Sequence, residues 1–184
     1  MPQASESYRK LAGEPSSELD RLFASGEPPS MDALAGLELR GFNKPWFASL
    51  FGIRKFIKAF FTTDDGSRFG CNTPVEQNGL EGDWVAKPDD ANPKRFGFFS
   101  VASVDPSPRK RHPHALLFDY GQGHNAWYQL SRFLRDYVVR ANPGSDELLI
   151  GKAYVALGPL HLPLGYFLLE RHRPLAAPPR LPGT

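Results

Sequence analysis

The chain has a single cysteine, Cys71, among its 184 residues. One thiol excludes an internal disulfide framework and any metal site built from several thiolates. It suits a reducing compartment. Net charge is nearly absent as well, with 22 Lys and Arg against 20 Asp and Glu. That balance lacks the electrostatic footprint of a nucleic-acid binder, and no nucleic-acid partner is expected. No apolar run reaches the roughly 20 residues that a membrane-crossing helix needs. The opening MPQASESYRKLAGEPSSELD lacks the apolar centre of a secretory signal, so a cytoplasmic location is expected. Glycine-rich phosphate cradles, the nucleophile elbow and the Walker pattern are missing too, and no cofactor is expected.

What is present is aromatic and extended. The 14 Phe, 6 Tyr and 3 Trp suit β-structure around a large apolar interior. From Phe133 to Arg171 three extended runs are separated by two turn clusters, Asn142-Pro143-Gly144-Ser145-Asp146 and Gly158-Pro159. Leu149, Gly151, Ala153, Val155 and Leu157 form one small or apolar row. The alternate row, Leu148, Ile150, Lys152, Tyr154 and Ala156, is apolar except for one charge. A sheet with one wet face would alternate apolar and polar residues. Here both faces need cover or must enclose something, which leaves a sandwich or a closed barrel. If the 142–146 turn sets Val139 opposite Leu149, Asp136 falls opposite Lys152. Such an ion pair belongs either on the outer wall or inside a cavity.

Earlier segments extend the pattern. Residues 1–15 read as a flexible arm, 16–173 as one barrel domain, and 174–184 (PLAAPPRLPGT) as a Pro-rich extended tail. Ser16 and Ser17 are candidate caps for a helix over 18–24, and Ser30 for another over 31–34. GLELRGF at 36–42 is a candidate first strand. Asn43-Lys44-Pro45 reads as a helix start. Trp46, Leu50, Ile53, Ile57 and Phe60 then form a helical stripe, with Arg54, Lys55 and Lys58 away from it. Residues 56–63 also read as a strand, so the helix is expected to run to about Arg54 and the strand from about Phe56. Asp64-Asp65-Gly66 turns into a strand over 68–75. A short strand at 84–86 and longer ones at 95–104 and 114–120 precede the closing three. The expected fold is mainly β: an up-and-down antiparallel barrel of about eight to nine strands with one or two N-terminal helices.

The segments GLELRG at 36–41, FGIRKFIKAFF at 51–61 and GKAYVALG…GYFLLER at 151–171 together resemble uncharacterised bacterial lipocalin-like, or calycin-like, proteins. In particular the chain is similar in its order of elements to the Gly-x-Trp-x-Gly lipocalin-like family. It departs from that motif, having no Trp in 36–41 and no Gly before Lys55. The resemblance implies an apolar ligand inside a barrel and transfers no catalytic residue.

Among chemistry-bearing residues, His112-x-His114 has no further ligand at metal spacing, and no metal site is expected. Arg109-Lys110-Arg111-His112 reads as a charged loop, Cys71 as a half-buried strand residue without a base, and Pro179-Arg180-Leu181-Pro182 as tail. Polar groups on otherwise apolar strands remain: Arg40, Tyr120, Asp136, Tyr137, Lys152, Tyr154 and Glu170. A few such groups pointing inward would orient a small hydrophobic molecule, which is the expected partner. In a cofactor-independent isomerase or cyclase, Asp136 or Glu170 would instead act as general acid or base beside Lys152 or a tyrosine. A third function class is peripheral binding to a lipid surface through the basic aromatic segment 46–61.

Overall fold

The computed structural model describes residues 3–44, 53–104 and 111–183. Eight strands close into one barrel in simple sequence order. They are β1 (Leu37–Asn43), β2 (Lys55–Thr62), β3 (Arg68–Pro74), β4 (Phe96–Ser103), β5 (Leu116–Asp119), β6 (Leu134–Asn142), β7 (Ser145–Leu157) and β8 (Leu160–Pro174). Every neighbouring pair is antiparallel, and β8 returns to pair with β1. This is the expected up-and-down lipocalin-like barrel, with the lower of the two expected strand numbers.

Two-sided apolarity is resolved by one core inside the barrel and two clusters outside it, the larger under the helices and the smaller under the C-terminal tail. The inner one contains Leu39, Phe60, Phe99, Val101, Leu116, Phe118, Val138, Leu149 and Leu169. Its centre is a packed aromatic group: the Phe99 and Phe118 rings stack at 4.9 Å, and Phe60 meets both edge-on at 5.8 and 5.3 Å. The larger outer cluster lies under two helices, α1 (Glu6–Gly13) and α2 (Ser16–Ser25), and takes in Phe42, Ile57, Tyr137, Ile150 and Leu168. A short helix, α3 (Met31–Leu34), precedes β1 and puts Leu34 into the inner core. One end of the barrel is thereby plugged.

Several expectations need correction. Residues 1–15 are no loose arm. Tyr8, Leu11 and Ala12 sit at the i, i+3, i+4 spacing of one helical face and are buried, and Ser5 caps the helix by accepting from the Tyr8 amide. The cap of α2 is Pro15, with no side-chain bond, rather than Ser16 or Ser17. Ser30 does cap α3, accepting from Ala33 N. The helix expected over 46–54 falls largely outside the described residues; Arg54 sits in a bend and β2 starts at Lys55. Lys55 and Lys58 are 1% and 2% exposed, so they form no basic outer face. Trp84-Val85-Ala86 makes only an isolated bridge, Val75 to Ala86. The tail places Leu175 and Leu181 against Phe61, Phe69, Cys71 and Phe98.

Register supplies the correction with most consequence. The β6–β7 ladder opens at Asn142↔Ser145 and is irregular between Arg140 and Asn142. Beyond that point Val139 faces Ile150, Tyr137 faces Lys152, and Asp136 faces Ala153. The expected register, Val139 opposite Leu149, centres the turn on Gly144 and is one residue out. A slip of one residue exchanges the two faces. Asp136 therefore points inward while Lys152 points outward, and the expected Asp136–Lys152 pair does not exist.

Inward glycines make room for rings. A Cβ added at Gly151 would sit 2.0 Å from the Phe167 ring, and Phe167 is buried. Gly151→Ala is therefore expected to lower stability by about 1–3 kcal/mol through overpacking. Urea melts check this, and an unchanged midpoint would show that Phe167 can swing aside without cost.

Candidate functional site

The end of the barrel opposite α3 opens into a cavity of about 200 Å³. Its walls include Ile53, Phe56, Pro74, Phe96, Leu134, Ala153, Leu164 and Phe167. Alternation within each strand puts them there: Phe56 and Phe60 flank Lys58 on the inner face of β2, while Ile57 and Ala59 face out. The cavity floor is polar. It carries Lys58 from β2, Asn72 from β3, Tyr120 from the 3₁₀ turn after β5, and Asp136 from β6.

These four side chains form one closed network. The Lys58 ammonium lies 3.2 Å from Asp136 Oδ2 and donates to Asn72 Oδ1 at 2.9 Å and Tyr120 Oη at 2.5 Å. Tyr120 donates to Asp136 Oδ2 at 3.1 Å. Asn72 Nδ2 donates to Gly97 O and to Tyr120 Oη, at 3.0 and 3.2 Å. All three ammonium hydrogens are thus committed. Rings surround the same nitrogen, with centroids from 4.7 Å (Phe99) to 5.8 Å (Phe118), which adds cation–π attraction in a dry setting.

Burial pulls the Lys58 ammonium below its ordinary value, and the Asp136 carboxylate pulls the other way. Tyr120 is pushed well above 10, first by burial and then by the negative charge of Asp136. The phenol therefore stays protonated and remains a donor. Both contacts to Asp136 use Oδ2, so among the described residues Oδ1 is left without a hydrogen bond. That oxygen is the acceptor the network has to offer.

Of the seven candidates read from the sequence, only Tyr120 and Asp136 come together in the cavity floor. The other five sit on the outer wall. Arg40 pairs with Glu170 at 3.1 Å beneath α1, whose Ser5 amide donates to the Glu170 carboxylate. Lys152 pairs with Asp20 of α2 at 2.8 Å. Tyr137 and Tyr154 pack against His112, and Tyr154 Oη lies 2.8 Å from His112 Nε2. His114 Nε2 reaches Phe23 O at 3.1 Å. Among the described residues no three metal-ligating side chains of the His, Cys, Asp or Glu type gather in one place. Cys71 lies under the tail, its thiol pushed up to about 12 by burial. Such a thiol is inert at neutral pH.

No family model, curated protein or solved structure matches the chain. Its chemistry is read from its own atoms.

Two floor residues, Lys58 and Asn72, were not among the sequence candidates. The signal for Lys58 was present: in a strand, a Lys with Phe two residues to either side stands on an apolar face. The helical spacing of the preceding residues masked it. Lys55, by contrast, turns its ammonium away from the network. It binds Asn78 Oδ1 and the carbonyls of Gly82 and Asp83, at 2.8 and 3.0 Å for the carbonyls, under the Trp84 ring. Burial lowers Lys55 to about 8. It is a clamp on the 78–83 loop.

Proposed function

We propose that the barrel binds a small, mostly apolar molecule carrying one hydrogen-bond donor, a hydroxyl or an N–H. The observation that carries this reading is the apolar cavity ending on Asp136 Oδ1, the one network oxygen left without a partner among the described residues. The volume sets the scale. Apolar cavities of about 150 Å³ take up benzene, whereas drug-sized ligands occupy about 300–1,000 Å³. A ligand of one or two rings, or a short chain, suits about 200 Å³. A carboxylate ligand is disfavoured, because Lys58 has no hydrogen left to donate and Asp136 would repel it.

Three naphthalene probes separate these features in calorimetric titration: 1-naphthol, naphthalene and 1-naphthoate. Naphthol is expected to bind best, by about 1–2 kcal/mol over naphthalene, the worth of a bond to a charged acceptor less its desolvation. Ala153→Phe fills the cavity from β7 and should abolish binding with the far-UV spectrum unchanged. Naphthoate binding tightest, or no probe binding below millimolar, would sink the proposal.

A second reading places chemistry in the same cavity. Asp136, beside a protonated Tyr120 held by Lys58, has the make-up of a base and donor pair acting on an apolar substrate without a cofactor. Glu170 and Lys152 drop out of that reading, since both face away from the cavity. Asp136→Asn separates the two: it would leave naphthol binding within about tenfold, whereas any turnover of an isomerisable substrate would disappear.

A further inference from the structure

The cavity mouth carries an unusual surface. Every large apolar side chain that is exposed among the described residues belongs to a segment at this one end of the barrel. One such segment joins β5 to β6, where Trp127, Tyr128 and Leu130 are 80%, 68% and 82% exposed. The other is the β7–β8 hairpin, where Leu157, Leu160 and Leu162 stand out at 45–55%. Ile53 and Phe96 complete the rim from the other side. The plugged end has no counterpart among the described residues.

Charge decides what this rim meets. Residues 120–134 and 155–165 contain no Asp or Glu at all, although the whole chain has 20. Arg132 lies between Leu130 and Phe133, Arg54 follows Ile53, and Lys94 is two residues before Phe96. A second copy of the chain would bring basic residues against basic residues. An anionic lipid surface complements both features, because Trp and Tyr sit well at headgroup depth and each basic residue near such a surface adds attraction.

We propose that this rim docks on an anionic lipid bilayer, with the Trp127–Leu130 segment and the tip of the β7–β8 hairpin entering the headgroup layer. The cavity mouth then faces the membrane, and an apolar ligand passes between bilayer and barrel without crossing water. Docking stands on the rim alone; the transfer of ligand rests on the cavity reading above. Of the basic residues expected to make a lipid contact, Lys55 and Lys58 are buried and take no part in this one.

Sedimentation with vesicles tests it. The full-length protein should pellet with phosphatidylglycerol–phosphatidylcholine vesicles at low salt, several-fold less with phosphatidylcholine alone, and less again at high salt as screening sets in. Trp127→Ser/Leu130→Ser and Leu160→Ser/Leu162→Ser should each cut the bound fraction at least about fivefold, since each removes two exposed apolar side chains from the contact. Both should keep 1-naphthol binding, whereas Ala153→Phe should lose naphthol and still pellet. The two readings thus fail independently. No pelleting with anionic vesicles at low salt would overturn the docking. So would sedimentation equilibrium showing a dimer that the Trp127→Ser/Leu130→Ser variant dissociates, because the occupant would then be a second copy.

Discussion

Lys58→Met should destabilise the protein by about 3–5 kcal/mol, the cost of leaving one member of a buried ion pair without its partner. The reasoning starts from position. Lys58 and Asp136 are 2% and 4% exposed, and their charges meet at 3.2 Å among aromatic rings. Removing the ammonium strands a carboxylate that keeps only the Tyr120 hydroxyl as donor among the described residues. Asp136→Met strands the ammonium in the same way, though Asn72 and Tyr120 still accept from it. The double variant should recover most of the loss, because two apolar groups of similar size avoid the desolvation of both ions. Tyr120 Oη would still accept from Asn72 there. Urea melts of wild type, both singles and the double give the coupling energy directly. Single variants within about 1 kcal/mol of wild type would mean that water reaches the pair, and the cavity floor would then be wet.

The same cycle bears on purpose. A pair that greasy residues can replace without loss is not kept for stability. If the double variant folds, it should still bind naphthalene but lose the preference for 1-naphthol. That separates the scaffold, which apolar packing supplies, from the anchoring of a ligand, which needs Asp136 Oδ1.

The barrel itself was legible because apolar residues on both sides of the closing strands leave few architectures open, and turn clusters mark nearly every hairpin. The inside and outside of the wall were not. That distinction depends on register: the hairpin closes on Asn142 and Ser145, not symmetrically about Gly144, and this alone sets Asp136 and Lys152 on opposite faces. The cluster Asn142-Pro143-Gly144-Ser145-Asp146 admits more than one pair of closing residues, and composition does not choose between them. Five of the seven site candidates failed for a related reason. Arg40, Tyr137, Lys152, Tyr154 and Glu170 are polar residues on apolar strands, as expected, but their rows are covered by α1, α2 and the His112 loop rather than facing a cavity. The cover was underestimated because Glu6–Gly13 was read as an arm, although Ser5 with Tyr8, Leu11 and Ala12 already had the form of a capped amphipathic helix. Lys58 was concealed by coincidence: Ile53, Ile57 and Phe60 keep helical spacing in a stretch that is extended from Lys55 onward.

Stability should fall as pH drops from about 6.5 towards about 4, with His172 the chief cause. The β1–β8 ladder pairs Glu38 with Arg173 and Leu39 with Arg171, so His172 is the extra residue of a bulge. It is 8% exposed, and neither ring nitrogen has a hydrogen-bond partner. Burial lowers its pKa to about 4; Arg40 and Arg173 push the same way, while Glu38 and Asp90 oppose them. His112 is lowered to about 4 as well, by burial and then by nearby positive charge, and His161 shifts in the same direction. Between about 4 and 6.5 the unfolded chain binds protons at these rings that the folded chain refuses, so stability rises with pH across that window and levels off on either side. Aspartates held below their ordinary value, such as Asp20, Asp90 and Asp146, lose their contribution only at pH near and below 3.8, which leaves the upper window to the histidines. For His172 the loss should be about 2–3 kcal/mol, and less for the half-exposed His112. His172→Leu removes a buried ring with two unsatisfied nitrogens, so it should match or exceed wild type at pH 7 and lose about 2–3 kcal/mol less on acidification to pH 4.5. Urea melts of both proteins at the two pH values decide the matter. An unchanged pH dependence in the variant, or a clear loss at pH 7, would mean that the ring is solvated or hydrogen-bonded in the folded protein.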